Sequence, residues 1–88
     1  MSTIIETLEA GIADLVYYNV NFAEAYTQYV EQANKSSNEY KHEIAEKCII
    51  RAGSYARAAI DTAKNLGLEP SKVCKDCINF AESYKKYV

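Results

Sequence analysis

Apolar residues recur every three or four positions along the first third of this 88-residue chain. The steps continue over about four heptads, and one polar residue, Asn19, interrupts the series. This spacing is typical of a helix that buries one long stripe. Further apolar residues widen the stripe on both sides, which favours a helix packed against two neighbours over a two-stranded coil. The series is Ile5, Leu8, Ile12, Leu15, Asn19, Phe22, Tyr26, Tyr29 and Ala33.

Two more helical segments follow the first. Ser36 and Glu39 have the spacing of a capping box, so a second helix is predicted to begin near residue 37. Gly67 has the position of a left-handed residue that ends a helix, and Pro70 that of a first helical residue. Because short connections make neighbouring helices antiparallel, the sequence predicts an all-α, three-helix bundle built on a long antiparallel helical hairpin. It forms a single domain over residues 1–88, with helices over approximately 3–33, 37–66 and 70–87.

A second layout divides both long helices. Phe22-x-x-Ala25 and Tyr55-x-x-Ala58 lie 33 residues apart, and each follows a stretch that is weak in helix-forming residues. Those stretches are Asn19–Asn21 and Gly53–Ser54.

The second of these patterns resembles the second-helix signature of tetratricopeptide repeats, with Pro70 fifteen residues beyond Tyr55. The segment around Phe22 is similar to the three-helix MIT-type adaptors. The Trp and the Leu-Gly of the repeat's first helix are missing, and Thr62 and Asn65 replace an expected aromatic and an expected small residue. The resemblance implies a TPR-like or MIT-like array in which both long helices are split, giving five short helices.

Charges are segregated along the chain. The first 34 residues carry five acidic residues and no lysine or arginine, so their net charge is −5, whereas the remainder is +3. This pattern predicts an acidic helix folded against a basic one. Nucleic-acid binding needs a concentrated cationic surface, and acidic residues interrupt the densest basic stretch, so a solvated helix face is the favoured interpretation. That stretch comprises Lys72, Lys75, Lys85 and Lys86.

The composition predicts a cytoplasmic protein that does not enter a membrane. No apolar run approaches the ~18 residues of a membrane span, and no basic segment precedes an apolar stretch at the N-terminus. The three cysteines lack the spacing of a disulfide framework.

The predicted helices differ in length, and we expect the difference to leave apolar surface uncovered. The short third helix is expected to shelter only the end that holds the N-terminus and Gly67. The end near the inter-helix turn then keeps a tyrosine-rich patch, which predicts a homo-oligomer, a dimer first of all, or docking of a partner protein helix. Tyr17 joins this set because it falls opposite the first helix's apolar series. The predicted partner-binding residues are Tyr17, Tyr26, Tyr29, Val30, Tyr40 and Ile44.

Cys74-x-x-Cys77 is the motif that most suggests chemistry. Redox proteins place this motif at a helix N-terminus, where the thiol pKa is lowered, but Pro70 begins this helix and Cys74 falls about one turn inside it. A zinc site needs four ligands, and His42 is expected at the opposite end of the bundle. Buried structural cysteines are therefore expected, with thiol-redox or metal-binding chemistry at Cys74 and Cys77 as the alternative.

No other pattern points to catalysis. His42 has no nucleophile at a suggestive spacing, the glycines are scattered singly, and no Glu-x-x-His pair occurs. The sequence thus favours a small non-catalytic helical interaction or oligomerisation module without a cofactor. The alternatives are the thiol or metal protein and a weak nucleic-acid-binding protein that uses the C-terminal lysines.

Overall fold

The computed structural model describes residues 2–35 and 39–88, which form helices and no strand. Its dimensions are 56 × 20 × 15 Å, and the longest matches the about 50 Å expected for a 34-residue helix. The predicted fold class, an all-α bundle built on a helical hairpin, is confirmed. The elements are α1 (Ser2–Lys35), α2 (Glu39–Asn65), α3 (Pro70–Val73), α4 (Lys75–Ser83) and a 3-10 turn (Lys85–Tyr87).

Contacts along the hairpin show that α1 and α2 are antiparallel. Near one end of the hairpin, Gly11 faces the side chain of Leu66. Toward the other end, Arg51 Nη1 donates a hydrogen bond of 3.1 Å to Gln28 Oε1.

Small residues of α2 form the closest part of this helix contact. Four alanines are completely buried, and large side chains of α1 such as Leu15 and Phe22 are buried with them. Small side chains at a helix interface allow the backbones to approach closely, so the hairpin is held mainly by apolar packing. The four alanines are Ala52, Ala56, Ala59 and Ala63.

Both long helices are continuous, so the five-helix layout is wrong. The polar residues around position 20 are accommodated within α1, because Asn19 Nδ2 donates to the Leu15 carbonyl at 3.0 Å and Asn21 Nδ2 donates to the Tyr17 carbonyl at 2.8 Å. Gly53 lies inside α2, where a Cβ atom would meet the carbonyl oxygen of Tyr87. These helix-weak residues therefore mark tertiary contacts and hydrogen bonds, not turns.

The C-terminal end of α2 follows the sequence prediction. Gly67 has φ +73°, and its N–H donates to the Lys64 carbonyl at 3.0 Å, while the Leu68 N–H donates to the Ala63 carbonyl at 2.9 Å. These two bonds define a Schellman motif. Pro70 begins α3 as predicted. The predicted capping residue Ser36 and the predicted helix start near residue 37 lie outside the described residues, and α2 begins at Glu39.

The third predicted helix is not continuous over 70–87. The chain leaves helical geometry at Cys74 (φ −145°, ψ 54°) and at Tyr84 (φ −124°, ψ 52°). At the first break, Asn19 Nδ2 donates to the Val73 carbonyl at 3.3 Å. A side chain of α1 therefore binds the backbone at a point where the sequence predicted an uninterrupted helix.

The third segment, which comprises α3, α4 and the 3-10 turn, also covers a different part of the bundle from the part that the sequence predicted. It meets α1 from Asn19 onward, and its last turn reaches Gly53 of α2. Extended backbone at Glu69 (φ −75°, ψ 111°) and the break at Cys74 advance the chain faster than the 1.5 Å per residue of a helix. The expectation that this segment covers the N-terminal end of α1 is therefore wrong.

We predict that replacing Gly53 with alanine destabilises the protein, because the added Cβ meets the backbone carbonyl of Tyr87, which cannot move without displacing the last turn. The expected loss is about 1–3 kcal/mol in the free energy of unfolding, measured by urea denaturation. Gly11→Ala is the matched control, since its Cβ meets only the side chain of Leu66, which can move, and alanine favours a helix by about 1 kcal/mol. Equal destabilisation by the two substitutions would contradict this account.

Candidate protein-interaction surface on the first helix

The tyrosine-rich patch predicted near the inter-helix turn is largely closed by the third segment. The ring centroids of Tyr26 and Phe80 are 5.6 Å apart, and those of Tyr29 and Tyr84 are 6.1 Å apart. A hydrogen bond with Tyr84, together with burial, raises the pKa of Tyr26. Tyr26 and Tyr29 are half-buried, because aromatic side chains of α1 and of the third segment pack against one another. The expectation that the third helix shelters only the opposite end of the hairpin is therefore wrong.

The other predicted partner-binding residues do not gather around a common point. Tyr17 is 56% exposed, yet its ring lies 6.3 Å from that of Tyr55 and raises the pKa of that phenol. Val30 is exposed and Ile44 is half-buried. The side chain of Tyr40 lies outside the described residues. Partner binding by this set stays a prediction.

A different apolar surface is exposed on the N-terminal half of α1. Five aliphatic side chains are each 45–66% exposed, although they recur at the three- and four-residue spacing of a buried helix face. Soluble monomers seldom expose contiguous apolar patches of this kind. We call this surface the apolar stripe, and its residues are Ile4, Ile5, Leu8, Ile12 and Val16.

The stripe continues the surface of α1 that the third segment covers. Asn19, Phe22 and Tyr26 follow Leu8, Ile12 and Leu15 in the same alternation of three and four residues. Asn19 is bonded to Val73, and the ring centroids of Phe22 and Phe80 are 5.3 Å apart. The third segment therefore contacts this side of α1 from Asn19 onward, although Val20, one turn beyond Val16, is 59% exposed. Among the residues that the structure describes, α2 is the helix that packs along the N-terminal half.

The charged residues in the N-terminal half of α1 are all acidic. Glu6, Glu9 and Asp14 are exposed, and no basic residue occurs before Lys35. Glu9 lies one turn from Ile5 and two turns from Val16, on the flank of the stripe. An occupant of this surface consequently meets aliphatic side chains with the Glu9 carboxylate on one flank.

The Cys-x-x-Cys motif lies beside the covered half of α1. Cys74 is the N-cap residue of α4, and not one turn inside a helix as predicted. Both thiols are buried, and Cys77 Sγ donates a hydrogen bond of 3.5 Å to Asn19 Oδ1. Burial raises the pKa of Cys74, and burial with the nearby Cys74 and Asp76 raises the pKa of Cys77 to about 12. A helix N-terminus normally favours a thiolate, but desolvation dominates here.

The remaining candidates for chemistry stay apart. In the part of the chain that the structure describes, no three His, Cys, Asp or Glu side chains are placed to hold a metal ion. Lys72 and Lys75 lie at the start of the third segment, and Lys85 and Lys86 lie at its end.

None of the helices over 2–35 and 39–88 combines the length and apolarity needed to cross a bilayer.

No known protein family, curated protein or solved structure matches this chain. The geometry of the chain itself therefore carries the functional argument.

The apolar spacing predicted buried positions for Ile5, Leu8 and Ile12, which are exposed in the structure. A signal for the correct arrangement was present, because aromatic residues concentrate in the second half of α1 and again in the third segment. Pairing Phe22, Tyr26 and Tyr29 with Phe80 and Tyr84 would have placed the short segment at the correct end.

Asn19 links α1 to the break between α3 and α4, so its replacement by alanine should destabilise the protein. The change removes the bonds to the Val73 carbonyl and the Cys77 thiol, and we expect a loss of about 1–2 kcal/mol in the free energy of unfolding. Asn21→Ala is the matched control, because Asn21 bonds only within its own helix. A loss for Asn21→Ala as large as that for Asn19→Ala would refute the proposed link.

The buried thiols should react slowly in the folded protein. With a pKa of about 12, about one Cys77 side chain in 10,000 is a thiolate at pH 8, and the thiolate is the nucleophile. We expect modification by Ellman's reagent to be much slower than in urea, where all three cysteines react, and to accelerate as the pH rises towards 12. Rapid labelling of Cys77 in the folded state, located by peptide mapping, would instead favour a redox role.

Proposed function

We propose that this protein is a small non-catalytic helical interaction module that self-associates through the apolar stripe of α1. The supporting observation is the exposure of five aliphatic side chains on one face of a helix whose continuation is buried by α3 and α4. Association would bury this face of α1, just as the third segment buries part of the second half of the same helix.

A second copy of the chain is the occupant that best fits the stripe. From Ile5 to Val16 the stripe has steps of three and four residues, a spacing with which helices pack on each other, and a second α1 presents the same spacing. A two-fold pair of copies buries both stripes in one self-complementary interface. The second copy would then pack against the N-terminal half of α1, as the third segment packs against the other half.

The energetics permit a reversible dimer. Burying the exposed half of an Ile, Leu or Val side chain contributes about 1 kcal/mol, and a pair of copies contains ten such side chains. Association itself costs about 4–15 kcal/mol. If association costs about 4 kcal/mol, the net free energy of dimerisation corresponds to a dissociation constant on the order of tens of micromolar.

We predict that Ile12→Asp makes the protein monomeric, because a carboxylate replaces an aliphatic side chain in the middle of the stripe. Sedimentation equilibrium at about ten times the expected dissociation constant would compare it with the parent protein, which should be mostly dimeric. The matched control is Ile50→Asp: Ile50 is 48% exposed and Ile12 49%, but Ile50 lies on α2 outside the stripe. Circular dichroism would establish that both variants are folded.

The proposal fails if the parent protein is monomeric at that concentration. It also fails if Ile50→Asp dissociates the dimer as effectively as Ile12→Asp, because the stripe would then have no special role.

A further inference from the structure

A groove runs between the second half of α1 and α4. The two helices point in the same direction here, because Phe22 meets Phe80 and, farther along both, Tyr29 meets Tyr84. The groove has a volume of about 440 Å³, which is within the range of small-molecule sites. It lies beyond Val16, where the apolar stripe ends, so a ligand bound here does not require the proposed self-association.

Aromatic rings form the floor of this groove. Phe22 and Phe80 are buried, whereas Tyr26 and Tyr84 are half-buried. The ring planes of Phe22 and Tyr26 are parallel within 9°, and those of Phe80 and Tyr84 are parallel within 27°. A surface of this kind accommodates an apolar body, and its π electrons attract a cation that lies within about 6 Å of a ring centroid.

Polar side chains border the aromatic floor. Asp76, Asn79 and Ser83 recur at the spacing of one face of α4, and Thr27 borders the groove on α1. None of these four side chains makes a hydrogen bond or a salt bridge with another described residue. Asp76 is also the only charged side chain among the described residues that line the groove. Its carboxylate therefore lies beside an aromatic surface without a cationic partner.

We propose that the groove binds a small organic ammonium ion, with its apolar body on the aromatic floor and its charged nitrogen at Asp76. The carboxylate and the ring faces both attract a cation, and the oxygens of Thr27, Asn79 and Ser83 can accept hydrogen bonds from its N–H groups. A neutral ligand of the same shape loses both electrostatic attractions. An anion of the same shape is repelled by Asp76.

Probes that share a phenylalkyl body and differ in charge test this preference. They are phenethylammonium, 2-phenylethanol and 3-phenylpropionate, each titrated into the isotope-labelled full chain at low salt and neutral pH and followed by NMR. We expect phenethylammonium to bind about threefold to thirtyfold more tightly than the alcohol, because a cation–π contact and an ion pair at an exposed site each contribute modestly. The propionate should bind more weakly than the alcohol. The shifts should centre on Ala23, Thr27 and Asn79, which line the groove.

Replacing the carboxylate provides a second readout. Asp76→Asn removes the charge with little change in size, so we expect it to weaken phenethylammonium binding about twofold to fivefold and to leave the affinity for 2-phenylethanol unchanged. Asp14→Asn is the matched control, since Asp14 is an exposed carboxylate that does not line the groove and its replacement changes the net charge equally. Circular dichroism would establish that both variants are folded.

The proposed site is refuted if phenethylammonium does not bind, or if it binds no more tightly than 2-phenylethanol. It is also refuted if Asp14→Asn weakens binding as much as Asp76→Asn. Shifts that centre on Leu8 and Ile12 would place the probe on the apolar stripe and would likewise overturn the assignment. A monomeric parent protein refutes the proposed self-association and leaves this site unaffected.

Discussion

The packing of aromatic side chains between α1 and the third segment sets which part of the hairpin that segment covers. Phe22, Tyr26 and Tyr29 contribute one half of this cluster, and Phe80 and Tyr84 contribute the other. Aromatic pairs at these centroid distances stabilise a contact by about 0.5–1.5 kcal/mol beyond the area that they bury. The short third segment can cover only part of the long hairpin, and this cluster holds it beside the second half of α1. The exposure of the first half follows from that placement.

Asn19 completes this arrangement at the boundary between the covered and the uncovered half. Its amide satisfies backbone carbonyls of both α1 and the break before α4, and its oxygen accepts from the Cys77 thiol. A polar residue in an apolar helix series is tolerated when its hydrogen bonds are satisfied in this way. The same contacts hold the Cys-x-x-Cys motif in a buried position, where desolvation suppresses the thiolate that redox or metal chemistry requires. A chemically suggestive motif thus has a structural role in this conformation.

The uncovered half of α1 connects the fold to the proposed function. A thin single-domain core leaves little stability to spare, and association is a common supplement in chains of this size. An acidic flank beside an aliphatic stripe also limits indiscriminate aggregation, because like charges weaken any pairing that brings those flanks together. The proposed reversible self-association is consistent with both features.

The sequence by itself determined the helical class, the hairpin, the Schellman motif at Gly67 and the start of α3 at Pro70. These features depend on residues within one or two turns of each other, so their spacing in the chain encodes them directly. It also indicated correctly that unequal helix lengths leave apolar surface exposed. Tertiary structure alone decided which end is exposed, since the contacts between Asn19 and Val73 and between Phe22 and Phe80 join residues more than fifty positions apart. The break at Cys74 has the same origin. The Asn19 amide on α1 binds the Val73 carbonyl, which the local sequence pattern would place inside a continuous helix.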